Sequence, residues 1–200
     1  RQVTPEAEEL EAARERVGGP LPATLPLMNW SAYTTHRDPV LSLFAEFAPD
    51  GVVHLAAQAS VSESMRDPER DWAVNAEGTR RVAAAARECG ARRVISASSA
   101  AVYGEPDESD LPLAETADKA PANPYGRSKL AAEGLLAAEL TGSATDYAAF
   151  RFSNVYGPRQ DGAGEGGVVA IFCTKLAASE TPVIYGTGEQ TRDFVFVGDV

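Results

Sequence analysis

Between residues 38 and 160 the apolar positions follow two alternating rhythms: short unbroken runs, and longer stretches in which they return every three or four residues. Asp38-Pro39 opens a short helix whose Val40, Leu43, Phe44 and Phe47 form one stripe. Pro49-Asp50 then turns the chain into an apolar strand from Gly51 to Ala56. Asp67-Pro68 starts a long helix that closes at Cys89-Gly90, and a second strand runs from Arg93 to Ser98. After a loop rich in proline and acid, a helix is predicted from Tyr125 to Leu140 and a strand from Tyr147 to Ser153. Nearer the start, Thr4 as N-cap, Pro5 in the first turn and the face Leu10, Ala13, Val17 predict a helix over residues 4 to 17, stopped by Gly18. Residues 19 to 37 carry three prolines and no clear period.

Strands alternating with helices of this length predict parallel strands joined by crossovers, the doubly wound, Rossmann-like sheet of the α/β class. Such sheets bind ligands beyond the carboxyl ends of their strands. At those ends stand Ala56-Ala57, Ser98-Ser99 and Asn154. The predicted organisation is an unassigned segment over 1–36, a dinucleotide-binding domain over 37–160, incomplete at its N-terminal side, and the start of a small substrate-binding region over 161–200.

Tyr125 and Lys129 lie four apart at the head of a predicted helix, so they share a face. A nearby ammonium favours the phenolate and would lower the phenol's pKa, which makes a general base out of a tyrosine. A serine hydroxyl at the end of the preceding strand can hydrogen-bond the same substrate oxygen. His54, inside an apolar strand, reads as structural, Trp30 and Trp72 as packing, and Glu105 to Asp110 as solvated loop.

The formal net charge of -11 argues against a broad nucleic-acid or anionic-membrane surface, so an anionic ligand must be met by a few local cations. Cys89 and Cys173 have no companion at metal-ligand spacing and read as reduced thiols; no metal site is expected. No apolar run reaches the roughly 18 residues of a membrane span, and a cytoplasmic location is the expectation.

Six landmarks occur in order: His54-Leu55-Ala56-Ala57-Gln58, Asp71 through Asn75 to Gly78-Thr79, Ser98 to Gly104, Pro124 to Lys129, Arg151 to Gln160, and Gly188 to Val200. Together they resemble the extended short-chain dehydrogenases of the NAD-dependent epimerase/dehydratase type, and most closely the UDP-glucose 4-epimerases. The resemblance implies NAD as cofactor, a nucleotide sugar such as a UDP-hexose as substrate, and a fold that admits a homodimer. It implies Ser99, Tyr125 and Lys129 as the catalytic triad. It places Ala56, Ala57, Gln58, Asn75, Ser98, Tyr125, Lys129 and Phe152 around the cofactor, and Ser60, Ser99, Tyr125, Asn154 and Arg192 around the substrate.

Members of the family oxidise the sugar at C4 and then diverge. Dehydratases carry an Asp-Glu pair directly after the hydroxyl residue, and decarboxylases an acid just before Val-Tyr-Gly; here Ala100-Ala101 fill those places. Alanine transfers no proton, which leaves C4 epimerisation as the expected reaction. Residues 1 to 36 show no strand followed by G-x-x-G-x-x-G and a helix, and Gly18-Gly19-Pro20 follows a predicted helix. The chain is therefore expected to be the middle of a longer enzyme and to bind NAD weakly by itself. A non-catalytic fragment or degenerate paralogue, or a dehydratase or decarboxylase of the same family, stays open, as do the sugar and the nucleotide.

Overall fold

The computed structural model describes residues 37–162 and 167–200. The helix expected over residues 4 to 17, and Trp30, lie outside the described residues. From Arg37 the order is α1 (Arg37–Phe47), β1 (Gly51–His54), α2 (Val61–Arg66), α3 (Pro68–Trp72), a π-helical turn (Ala73–Glu77) and α4 (Gly78–Cys89). Then follow β2 (Arg93–Ser99), a 3-10 turn (Ala100–Tyr103), α5 (Pro124–Leu140), β3 (Asp146–Phe152), β4 (Asn154–Tyr156), α6 (Val168–Ala177) and β5 (Phe194–Phe196).

Local chemistry explains where the main helices begin. Asp67 accepts from the Arg70 N–H at 3.0 Å ahead of Pro68, and Asn123 accepts from the Gly126 N–H at 2.8 Å ahead of Pro124. Gly90, at φ +77°, ends α4 in the left-handed conformation that glycine adopts without strain.

The strands β1, β2 and β3 form one parallel sheet in that order, with Val53 beside Ile95 and Ile95 beside Ala148. The Rossmann-like α/β architecture expected from the sequence is therefore present. The helices α1, α4 and α5 pack on one another and on one face of this sheet. Ala83, Ala86, Ala91, Val94, Leu136 and Leu140 form the core there, joined by Phe44, Val52 and Ala149. Alanine along α4 lets the helix lie close to the sheet and to α5, while Leu136 and Leu140 fill the gap. Among the described residues the opposite face is open: Val53 and Leu55 are 65% and 66% exposed, and Phe150 is 47% exposed. The second helical layer of a doubly wound sheet is not seen among these residues.

Three elements depart from the sequence-based prediction. The first strand ends at His54 rather than Ala56, because the chain leaves the ladder where the Gln58 backbone bonds to Asn75 instead. The helix α2 was not expected; its start is set by Ser60, which accepts from the Glu63 N–H at 2.9 Å. A separate parallel pair, β4 with β5, sets Asn154 opposite Phe194. Trp72, expected to pack, is 45% exposed.

Candidate active site

The site is assembled at the carboxyl end of β2 against the first turns of α5. Gly126 is what permits the approach: a Cβ there would lie 2.6 Å from the Ala101 carbonyl oxygen and 2.9 Å from the Pro121 Cβ. The Tyr125 N–H donates to the Ser64 hydroxyl at 3.2 Å, so the fully buried Ser64 of α2 fixes the same turn from the other side.

Ser99, Tyr125 and Lys129 are brought together as the sequence predicts. The Ser99 hydroxyl accepts from the Ala101 N–H at 3.2 Å and is near enough to the Tyr125 phenol to pull its pKa down. The Lys129 Nζ lies 5.9 Å from the centre of the Tyr125 ring and donates to the Ala97 carbonyl at 2.9 Å. Burial lowers the Lys129 pKa to about 8, against the opposing charge of Asp71.

The tyrosine departs from the expected electrostatics. Its pKa is raised, first by burial, with the Ser99 hydrogen bond pulling it down and the Asp71 charge pushing it up. The ammonium sits over the ring and donates to the Ala97 carbonyl, and burial outweighs what favours the phenolate. Ser99 is the neighbour that favours the phenolate.

Around this trio, Gln58 and Asn75 are tied to each other and to Asp71, which carries no role in the sequence-based expectation. The Gln58 N–H donates to Asn75 Oδ1 at 2.9 Å, and Asn75 Nδ2 donates back to the Gln58 carbonyl at 2.9 Å. The wide π-helical turn carries Asn75, and such turns cluster at functional sites. Both amides reach Asp71, with Gln58 Nε2 at 2.8 Å and Asn75 Nδ2 at 3.1 Å, while Ser128 donates to its other oxygen at 2.5 Å. Asp71 is 1% exposed, and burial raises its pKa against the hydrogen bonds of Ser128 and Gln58 and the charge of Lys129. The Asn75 side chain is thus spent on the Gln58 loop, Asp71 and Ser128.

The half-buried Ala56 and Ala57 lie in that loop, where small side chains leave room for an approaching ligand. Ser60 caps α2, and its N–H donates to Gln58 Oε1. Phe152 ends β3 opposite Ser99 and stacks on Phe150, with ring centres 5.8 Å apart. Asn154 donates to the Asp193 carbonyl at 3.0 Å, which brings it beside the segment carrying Arg192. The Arg192 guanidinium donates to the Thr191 carbonyl at 2.7 Å and is exposed.

The resemblance set Ser98 beside the cofactor. The Ser98 hydroxyl instead donates to Glu133 at 2.5 Å on the helix-covered face of the sheet, so its side chain points away from Ser99 and from the site. Strand alternation requires this: successive side chains take opposite faces. His54 is structural, as expected. Its Nε2 lies 3.1 Å from the Thr79 hydroxyl, whose own proton goes to the Asn75 carbonyl at 2.6 Å, so the imidazole is the donor.

The sequence reading also missed Glu133, Tyr103 and Arg151, which form an ion-pair network under the serines. Glu133 was findable, since it stands four residues beyond Lys129 on the same helical face. Both cysteines are free. Among the described residues no group of three or more His, Cys, Asp and Glu could hold a metal ion, and no helix is long and apolar enough to cross a membrane.

The family model described as "NAD dependent epimerase/dehydratase family" matches residues 13–200. The chain belongs to this family. The match to the epimerase/dehydratase family starts nearer the N-terminus than the landmarks, which begin at His54. Among curated proteins, the UDP-glucose 4-epimerase of Mycolicibacterium smegmatis is 47% identical over 159 residues, 79% of this chain and 50% of the relative. The UDP-glucose 4-epimerase of Thermotoga maritima, solved with UDP-glucose, superposes with a TM-score of 0.79 at 37% identity, covering 83% of this chain and 54% of that one. The Thermus thermophilus UDP-glucose 4-epimerase, solved with NAD, gives a TM-score of 0.76 at 38% identity, covering 83% and 55%. Relatives named as a 4,6-dehydratase and a decarboxylase match as well, at 35% and 31% identity. The chain spans about half the length of the curated epimerases it matches.

Proposed function

We propose that the protein carrying this chain is an NAD-dependent nucleotide-sugar epimerase that inverts C4 of a UDP-hexose through a 4-keto intermediate. The observation that carries the reading is the buried Lys129 held against the Tyr125 ring at the carboxyl end of the parallel strand that closes on Ser99. The kinship with UDP-glucose 4-epimerases supports the substrate class. The residues present fit a dinucleotide at its nicotinamide end: two alanines line the loop after β1, and Lys129 has three donors, of which one goes to the Ala97 carbonyl.

When bound, NAD supplies the acceptor and later the donor of the hydride at C4. Tyr125 takes the proton of the 4-hydroxyl and Ser99 hydrogen-bonds the same oxygen, steadying it as the carbonyl forms. Lys129 keeps positive charge at the site and offers its remaining donors to ligand hydroxyls. Re-presentation of the other face of the ketone then lets Tyr125 return the proton to the inverted alcohol. The half-buried Ala100 and Ala101 form the turn directly after Ser99, where no side chain can protonate a leaving hydroxyl. That favours epimerisation over 4,6-dehydration. The substrate's diphosphate falls to Asn154 and Arg192; the guanidinium fork suits phosphate oxygens.

Tyr125→Phe tests the base. It keeps the ring and removes the ionisable oxygen, so turnover of UDP-glucose by the full-length protein falls on the order of 100-fold or more, with little change in KM. Near-normal turnover would place the base elsewhere.

A further inference from the structure

Below the serine pair, on the helix-covered face of the sheet, one carboxylate holds two strands and, through its arginine partner, a third segment of the chain. Glu133 of α5 receives the Ser98 hydroxyl at 2.5 Å on Oε1. Arg151 of β3 grips the same carboxylate with Nε at 2.9 Å from Oε1 and Nη2 at 2.7 Å from Oε2. The remaining arm, Nη1, donates to the Tyr103 hydroxyl at 2.7 Å and to the Glu115 carbonyl at 3.0 Å, which draws in the loop after β2. The Arg151 guanidinium also lies 5.1 Å from the Tyr103 ring centre. Although burial pushes the Glu133 carboxyl up, the Arg151 and Ser98 hydrogen bonds outweigh it and hold it below the usual carboxylate range. The charge on the pair is secure at neutral pH.

The sheet register turns this clamp toward the site. Ser98 stands beside Arg151 in the β2–β3 ladder, and the next rung is Ser99 beside Phe152. The first rung faces α5, so the second faces the other way. A hold on Ser98 and Arg151 therefore fixes the rotation of both strand ends, and with it the aim of Ser99 and Phe152. Glu133 lies four residues beyond Lys129 and eight beyond Tyr125 on the same helix, all on one face. The helix that presents the tyrosine and the lysine thus grips, two turns further on, the strand ends that present the serine.

We propose that Glu133, through its bonds to Ser98 and Arg151, is a positioning residue that sets Ser99 against Tyr125. The inference rests on the proposed function, because it gives Ser99 a part in turnover. Neither Glu133 nor Arg151 needs to touch the ligand. Both are mostly buried, with side-chain exposures of 14% and 21%. Displacing a reacting group by about 1 Å can cost about 100-fold in rate, so a clamp two turns from the chemistry has leverage.

The test is a double-mutant cycle in the full-length protein, with UDP-glucose as substrate. Glu133→Gln keeps the volume and one acceptor oxygen but loses the two-pronged ion pair. We expect kcat to fall at least about 10-fold while KM and NAD binding change less than about 2-fold. In a Ser99→Ala background the same substitution should change kcat by less than about 2-fold, because the group it positions is gone. Equal losses in both backgrounds would show general loosening of the fold and overturn the inference while leaving Ser99 in the mechanism. A Ser99→Ala protein with wild-type turnover would instead overturn the reading of the site itself. If Glu133→Gln does not fold, Ser98→Ala takes its place in the cycle. Its effect must vanish in the Ser99→Ala background, and additivity overturns the proposal.

Discussion

Acid should loosen the loop that lines the candidate cofactor site before it reaches the rest of the fold, and His54 is the reason. Burial first, and the charge of Lys129 second, lower its pKa from 6.5 to about 4. Between those values the unfolded chain binds a proton that the folded chain refuses, so the unfolded state binds more protons and stability falls as pH falls. The group's contribution is fully present above pH 6.5 and is lost as the pH drops toward 4. At about pH 5 the loss amounts to about 2 kcal/mol, since each pKa unit is worth about 1.4 kcal/mol. The damage is local in origin. His54 holds Thr79, Thr79 holds the Asn75 carbonyl, and Asn75 holds the Gln58 backbone. Denaturant unfolding of the full-length protein and of His54→Gln, at about pH 7.5 and about pH 5, measures the term. Gln can donate to Thr79 but has no proton to gain, so the variant should lose about 2 kcal/mol less than the wild type across that interval. An identical loss in both proteins would refute the reasoning.

Two further outcomes follow from the geometry of the site. Gly126→Ala drives a Cβ into the Ala101 carbonyl, which belongs to backbone and cannot swing aside; it should cost about 1–3 kcal/mol in thermal unfolding and at least about 10-fold in kcat, and an unchanged melting temperature would contradict the close approach. Asp71→Asn removes a negative charge that raises the pKa of both Lys129 and Tyr125, so the rising limb of the kcat–pH profile should move to lower pH; an unmoved limb would mean that Asp71 acts on neither.

The elements between Asp38 and Phe152 were legible because their punctuation is chemical: Asp-Pro and Asn-Pro at helix starts and Cys89-Gly90 at a helix end. The helix α2 was missed because its six residues, Val61–Arg66, show too little apolar period to register against a polar loop. The trio Ser99, Tyr125 and Lys129 was legible from spacing and family landmarks. Its electrostatics were not, because whether an ammonium reaches a hydroxyl or a ring depends on which carbonyl competes for it, here Ala97. The direction of the Ser98 side chain is simpler, because strand alternation alone sets it opposite that of Ser99. Arg151 could not be read from a chain, since its partners Glu133 and Tyr103 lie 18 and 48 positions away and meet it only across the sheet.

Epimerisation returns the hydride to the sugar, so the products and the cofactor must be followed together. The full-length protein is supplied with NAD and UDP-glucose, and the products are followed by chromatography while NADH is read by absorbance. The C4 epimer of UDP-glucose should accumulate to equilibrium, with no net NADH. A 4-keto-6-deoxy product, release of carbon dioxide from a UDP-uronic acid supplied in its place, or NADH formed in step with substrate consumed would contradict it.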